Sequence, residues 1–475
     1  MIFNSIQFII FFVILTSLYY SVPHRFRWGL LLAASCYFYM MFIPIYILIL
    51  AVTIIIDYFA GIQIEVSNGR DKRFYLILSI ISTCLVLFVF KYFNFFTVNF
   101  NELARFLDWN YSIETLSLIL PIGLSFHTFQ SLSYVIEVYR GHQKAERHFG
   151  IYSLYVMFYP QLVAGPIERP QNLLHQFYEE HHFDYTMIRD GFILILWGMF
   201  KKVVIADRLS VYVDAVYSNA SQHNGVTLLV ATIFFAFQIY CDFSGYSEIA
   251  IGTAKVMGFK LMQNFNRPYF AKNIAEFWKR WHISLSTWFK DYLYISLGGN
   301  RVSVPHWHFN LFFTFLVSGL WHGANWTYIA WGALNGLYLI VENISNSYRR
   351  RITRIIGLTK YPIMHTYLKM LITFALTCVA WVFFRAANIS DACLILKKIF
   401  SEPGPLFTGG FKDIIYGVFG IFFLIGFDYW SRGKHVDVFI GSKHYATRWT
   451  IYVYMVMSIL TMGVFNASQF IYFQF

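Results

Sequence analysis

Three short stretches carry polar side chains of chemical interest inside otherwise apolar sequence. The first is Phe315-Leu-Val-Ser-Gly-Leu-Trp-His-Gly-Ala-Asn-Trp-Thr327, which places Ser318, Trp321, His322, Asn325 and Thr327 in a run otherwise fit for lipid. Polar groups left unsatisfied in hydrocarbon cost several kcal/mol each, so this run must line protein or trapped water. Gly319 and Gly323 flank His322 at helical spacing and would let another backbone or a substrate approach closely. An imidazole titrates near neutrality and can take a proton as general base. The structural alternative is a core histidine held by a backbone carbonyl, and for a histidine taken alone that is the better reading.

The second stretch is Glu276-Phe-Trp-Lys-Arg-Trp-His-Ile-Ser-Leu-Ser-Thr-Trp-Phe-Lys-Asp291. As one helix it would set Trp278, Trp281, Leu285 and Trp288 on one face and His282 with Ser286 on another. Lys279, Arg280 and Lys290 add positive charge. A membrane-surface helix with an aromatic belt and snorkelling cations accounts for the same pattern. The third stretch, Gln238-Ile-Tyr-Cys-Asp-Phe-Ser-Gly-Tyr-Ser-Glu248, interrupts an apolar run with Asp242 and Glu248. A buried carboxylate needs a partner, and Arg280 or Lys279 is the expected one, which makes both acids structural. Asp57, within Ile-Ile-Ile-Asp-Tyr-Phe, is read the same way.

The scaffold that must hold these groups follows from composition. The chain is 57% hydrophobic, 21% aromatic and 13% charged over 475 residues, with a mean hydropathy of +0.51, whereas a soluble domain carries about a quarter charged residues. Long apolar runs recur from end to end. At about 20 residues per crossing they predict an all-α, polytopic integral membrane protein with roughly 10–12 transmembrane helices, plus re-entrant or interfacial ones. The run 2–20 has no cation ahead of it and no small-residue cleavage site behind, so it is expected to stay as a first helix. Arg25 and Arg27, then Arg70, Lys72 and Arg73, then Arg140, Lys144 and Arg147 fall in alternate loops. The basic-loop bias makes that side cytoplasmic and leaves the N-terminus outside. Arg349, Arg350, Arg351 and Arg354, and later Arg432, Lys434, Lys443 and Arg448, mark further cytoplasmic loops. Between Phe149 and Arg301 the alternation breaks at Pro160, Gly165, Pro166 and Pro170, beside Glu168 and Arg169, which suggests a re-entrant or interfacial segment near a cavity.

Other classes are excluded. The five cysteines, Cys36, Cys84, Cys241, Cys378 and Cys393, are scattered, odd in number and without a CxxC pair, so neither a disulfide framework nor a metal site is expected. The net charge of +12 lies in short loops and not in a solvated basic domain, which argues against nucleic acid. P-loop, HExxH, GxSxG and GxGxxG signatures are absent, and His181-His182 and His306-x-His308 read as surface-loop histidines. No fixed-period repeat or low-complexity tract appears, and residues 1–475 are read as a single membrane domain.

At these clusters the sequence resembles the membrane-bound O-acyltransferase family, and most closely its bacterial polysaccharide branch of alginate-acetylating type. The resemblance is carried by Gln161-Leu-Val-Ala-Gly-Pro-Ile-Glu-Arg-Pro170, Trp278-Lys-Arg-Trp-His-Ile-Ser-Leu-Ser-Thr-Trp288 and Ser318-Gly-Leu-Trp-His-Gly-Ala-Asn-Trp326. Leu120-Pro-Ile-Gly-Leu-Ser-Phe126, Tyr240-Cys-Asp-Phe-Ser-Gly-Tyr246, Asp291-Tyr-Leu-Tyr-Ile-Ser-Leu-Gly-Gly-Asn-Arg301 and the closing Phe470-Ile-Tyr-Phe-Gln-Phe475 extend it along nearly the whole chain. The resemblance implies a ring of tilted helices around a central tunnel, and catalysis by His322, the family's invariant histidine. His282 falls on a second characteristic position, which holds Asn or His. The resemblance further implies that no cofactor is permanently bound and that acetyl-CoA or a similar acyl thioester serves as donor. Trp281, Ser286, Lys279, Arg280, Trp321, Asn325 and Ser318 would line the tunnel or meet that donor. The acyl group would pass outward across a bacterial cytoplasmic membrane to a separate SGNH-hydrolase-like protein that modifies a polysaccharide. Two other readings remain: D-alanyl transfer to teichoic acid from a carrier-protein thioester, and a transporter using Asp57, Asp242 and Glu248 as a proton path. The transporter would be expected to show related halves with paired broken helices, and none is seen.

Overall fold

In a computed structural model, residues 1–409, 411–465, 470 and 471 are described; they form helices joined by loops, with no strand among them. Residues 472–475 of the closing motif lie outside the described residues. This is the all-α membrane architecture expected from composition. Four helices, Tyr46–Val66, Gly69–Phe106, Gly225–Val256 and Pro362–Arg385, are each long and apolar enough to cross a bilayer. Other apolar runs fold into shorter or interrupted pieces: Ile6–Ser21 has 16 residues, and a π-turn at Phe200–Ala206 divides the run between Tyr185 and Tyr217. Large apolar side chains such as Ile6, Phe59, Leu371 and Phe422 face outward, as lipid contact requires.

The chain divides into two compact units, Met1–Ile195 with Tyr246–Met262, and Leu196–Gly245 with Gln263–Phe475. The first explains several polar residues as structure. Asp57 is fully buried on the Tyr46–Val66 helix and accepts hydrogen bonds from Ser79 Oγ at 2.6 Å and Thr83 Oγ1 at 3.2 Å. The proline-rich stretch after Tyr159 leaves the helical path, and protein groups satisfy it: Gln161 Nε2 donates to the Tyr155 carbonyl at 2.8 Å, and buried Glu168 accepts from the Met262 N–H and Asn172 Nδ2. A small cavity lined by His127, Gln130 and Gln161 adjoins this stretch. Non-helical backbone at such a depth survives only with partners of this kind.

In the second unit, the helices Val304–His322 and Trp326–Ile344 are joined by only three residues. Glycine decides how closely they approach. A Cβ on Gly319 would meet the Tyr328 carbonyl, one on Gly332 would meet the Phe315 carbonyl, and one on Gly336 would lie 3.0 Å from the Phe312 Cα. Small residues that allow backbone contact are the usual means of pairing helices in lipid, where tails compete for apolar surface as well as side chains do. The close approach expected at Gly319 is therefore made by another helix of the same chain. Gly332→Leu should separate the pair and cost about 1–3 kcal/mol or more by overpacking. Thermal unfolding of the detergent-purified variant checks this, and an unchanged midpoint would refute the packing.

Candidate functional site

The helix pairing sets the surroundings of His322. It is the last residue of its helix, 4% exposed, with Gly323 as the extended cap. Its ring centroid lies 4.8 Å from that of Trp321, 4.9 Å from Trp331 and 5.3 Å from Phe384, all steeply inclined to it. The ring of Tyr328 fills the space beside Gly323 and packs on Phe384 at 5.0 Å. Asn325 caps the Trp326–Ile344 helix: its Oδ1 accepts from the Thr327 N–H at 3.0 Å, and its Nδ2 donates to the Ala387 carbonyl at 3.1 Å. Ser318 and Trp321 are buried on the His322 helix. Asn325 therefore fixes the turn that follows the histidine.

The second cluster departs from the single amphipathic helix expected of it. It forms two short helices, Ile274–Trp278 and Ile283–Trp288, followed by a π-turn at Phe289–Tyr294. The break falls at His282, whose φ of 41° is left-handed. The cause is Asn264. Its Oδ1 accepts from the Ser284 N–H at 3.2 Å and Ser284 Oγ at 2.9 Å and lies 3.1 Å from His282 Nδ1, while its carbonyl accepts from the Ile283 N–H at 2.8 Å. Four contacts to one residue outweigh the local helical preference. The rings of Phe243 and Phe265 stand 4.5 and 6.3 Å from His282, which is 1% exposed. Ser286 Oγ donates to the Trp281 carbonyl at 3.1 Å, so it braces the break from the other side.

A series of aromatic rings joins the two histidine sites. Trp281, next to His282, lies 5.0 Å from Trp381; Trp381 lies 6.0 Å from Trp331, and Trp331 faces His322. Trp278 donates its indole N–H to Asn335 Oδ1 at 3.3 Å and also packs on Trp331. The candidate residues His322, Trp321, Ser318, Asn325, His282, Trp281 and Ser286 all belong to this one unit. Lys279 is exposed, and Arg280 pairs with Glu276 Oε1 at 2.6 Å.

That pairing corrects the expectation for Asp242. Its partner is Lys202, whose Nζ lies 2.7 Å from Asp242 and 2.8 Å from Asp207, all three groups buried. Asp242 Oδ2 also accepts from the Ile471 N–H at 2.8 Å, and Phe470 packs on Phe243 at 5.8 Å. Arg280 is taken by the carboxylate four residues before it, whereas Lys202 sits on a π-turn between two acids. Lys201, its neighbour, donates to Ser244 Oγ at 2.8 Å. The sequence signal was the pair of adjacent lysines in Phe200-Lys-Lys-Val-Val-Ile-Ala206, expensive in lipid unless matched. Glu248, half-buried on the Gly225–Val256 helix, belongs to the other unit. Among the described residues no group of three or more His, Cys, Asp or Glu is placed to hold a metal ion.

Comparison with known proteins bears on the same residues. The model of the membrane-bound O-acyltransferase family matches residues 147–388, which contain all three polar clusters. The chain is 40% identical over 404 residues to a probable alginate O-acetylase, AlgI, of Pseudomonas aeruginosa, covering 84% of this chain and 75% of that one. It is 37% identical over 401 residues to a peptidoglycan O-acetyltransferase of Helicobacter pylori, covering 79% and 74%. A teichoic acid D-alanyltransferase of Streptococcus thermophilus is 30% identical over 247 residues, covering 48% and 58%.

The buried ion cluster offers a check that needs no substrate. Lys202→Met would leave Asp207 and Asp242 facing each other without a cation, which should cost about 3–5 kcal/mol. Size-exclusion chromatography and thermal unfolding of the variant should show loss of the folded species; wild-type stability would contradict the pairing.

Proposed function

Because this chain belongs to the membrane-bound O-acyltransferase family, and is thereby a multi-pass membrane O-acyltransferase, we propose that it takes an acetyl group from a cytosolic thioester donor and moves it outward for O-acetylation of an extracytoplasmic polysaccharide. The donor in this reading is acetyl-CoA or a similar acyl thioester. A separate SGNH-hydrolase-like protein outside the membrane makes the final transfer to polymer. The N-terminus faces the outside of the cytoplasmic membrane, as the basic loops suggest.

The observation that carries this reading is the setting of His322, a buried imidazole at a helix end among aromatic rings in a chain similar to O-acetylating enzymes along most of its length. His322 takes the proton of an acceptor hydroxyl as its oxygen attacks the thioester carbonyl. The carbon–sulfur bond then breaks, and the departing thiolate recovers the proton from the imidazolium, leaving an ester and a free thiol. The ring is buried among aromatic side chains, so a positioned base and a low local dielectric both favour the step. His282 orients donor or acceptor beside it, and Asn264 fixes its ring. In this reading Trp281, Trp321 and Ser318 meet the donor or acceptor, while Ser286 and Asn325 hold the backbone turns that follow Trp281 and His322.

D-alanyl transfer is the second reading, supported by the partial match to a teichoic acid D-alanyltransferase. Coverage weighs against it: that match spans 48% of this chain, against 84% and 79% for the two O-acetylating relatives. His322→Ala should lower polymer acetylation in cells by roughly 10²–10⁴-fold with expression and folding intact. Persistent acetylation in that variant would exclude His322 as the base. Loading the purified protein with labelled acetyl-CoA, or with a D-alanyl carrier protein, separates the two donors.

A further inference from the structure

The first unit holds a second buried histidine, His127, for which the reaction above has no use. Its helix, Leu124–Arg140, starts at Gly123, whose φ of 80° is left-handed. A Cβ on Gly123 would lie 2.7 Å from the Leu162 carbonyl, so glycine alone lets the helix start press against the proline-rich stretch. A cavity of about 10 Å³ remains between them, lined by His127 and Gln130 from the helix and by Gln161 and Pro166 from the stretch. Every residue lining it is buried. Its volume is about that of one water molecule.

One carbonyl fixes which way the amides point. Tyr155 lies near the end of the helix Phe149–Met157; beyond it Tyr159 gives its N–H to Ser35 Oγ at 3.1 Å, and Pro160 has no N–H to give. The Tyr155 carbonyl is thus left to side chains, and it accepts from Gln161 Nε2 at 2.8 Å and from Gln130 Nε2 at 3.4 Å. Turning the Gln161 amide over would set oxygen against oxygen, so Oε1 must be the end that points away.

Among the described residues, buried Gln161 Oε1 and His127 Nδ1 have no hydrogen-bond partner. The other ring nitrogen, Nε2, lies 2.6 Å from Thr53 Oγ1, which is itself 2.8 Å from the Leu50 carbonyl. Thr53 has one hydroxyl proton. With that proton on the carbonyl, the ring donates from Nε2, and Nδ1 keeps its lone pair. Two acceptors therefore belong to one cavity. A buried acceptor without a donor is costly, and two together require a molecule that brings two protons and little bulk. Gln130 has a second N–H to give to that molecule's own oxygen.

We propose that this cavity binds a single water molecule, which donates to His127 Nδ1 and Gln161 Oε1 and accepts from Gln130 Nε2. Three bonds are the usual complement of a buried water. This one joins three parts of the first unit: the helix Tyr46–Val66 through Thr53, the helix Leu124–Arg140, and the stretch that leaves the helical path at Pro160. It completes the set of internal partners that such non-helical backbone needs.

The test is a density map of the nanodisc-embedded protein, with a bound antibody fragment, at a resolution that shows ordered water. One peak should stand within hydrogen-bond reach of both His127 Nδ1 and Gln161 Oε1. In His127→Phe the ring loses its lone pair and takes up part of the cavity, so the peak should vanish while Gln161 keeps its bond to Tyr155. Nitrogen-15 spectra of histidine-labelled wild type should show His127 neutral and protonated on Nε2, and they decide the matter even if the variant does not fold. Four results would overturn the site: no peak in a wild-type map that resolves other buried waters, a peak that persists in His127→Phe, a proton on Nδ1, or a peak that strengthens when sodium is exchanged for thallium. The last would make the occupant a monovalent cation.

Discussion

The closest constraint in the second unit is the backbone contact between the helices Val304–His322 and Trp326–Ile344. Gly319 and Gly332 admit the other helix's carbonyl oxygens into space that any side chain would fill. Apolar burial gives little net drive for helix pairing in lipid, so dispersion between tightly approached backbones supplies much of the attraction. That approach brings Trp331 onto the His322 ring and sets Trp278 across both helices. The imidazole's surroundings are thus fixed by residues that have no functional groups of their own.

Polar groups elsewhere obey the complementary constraint that each buried charge or amide must be answered from within the protein. Lys202 serves two acids, Asn264 serves the backbone and side chains around His282, and Asp57 is served by two hydroxyls. Buried charges of this kind add little net stability, yet removing one member is costly because its partners stay behind. Such networks hold a particular arrangement in place more than they strengthen the fold as a whole. The networks of Lys202 and Asn264 sit where the chain leaves regular helix, at the π-turn of Phe200–Ala206 and at the break before Ile283, whereas that of Asp57 ties two regular helices together.

What was legible in the sequence was local. Apolar runs announced membrane helices, and the setting of His322 between glycines and tryptophans marked a buried site with a closely approaching neighbour. What was not legible depended on partners distant along the chain. The spacing of Trp278, Trp281, Leu285 and Trp288 is helical, and periodicity cannot show that Asn264 reaches in to break the helix at His282. Arg280 looked like the natural partner for Asp242, but a carboxylate one turn away on its own segment claims it first. The partner that does reach Asp242 lies forty residues earlier, in a lysine pair that an apolar run gave no local reason to keep.

The left-handed backbone at His282 has a consequence for which residues can stand there. At a φ of 41°, most side chains crowd their own carbonyl, and β-branched residues most of all. Asparagine and histidine are among the few that occupy this region readily. Both also offer a polar nitrogen near the position from which His282 Nδ1 meets Asn264. The two residues that the family resemblance allows at this position are therefore the two that the backbone would select before any chemistry is asked of them. Main-chain geometry narrows the alphabet at this point before any chemistry does.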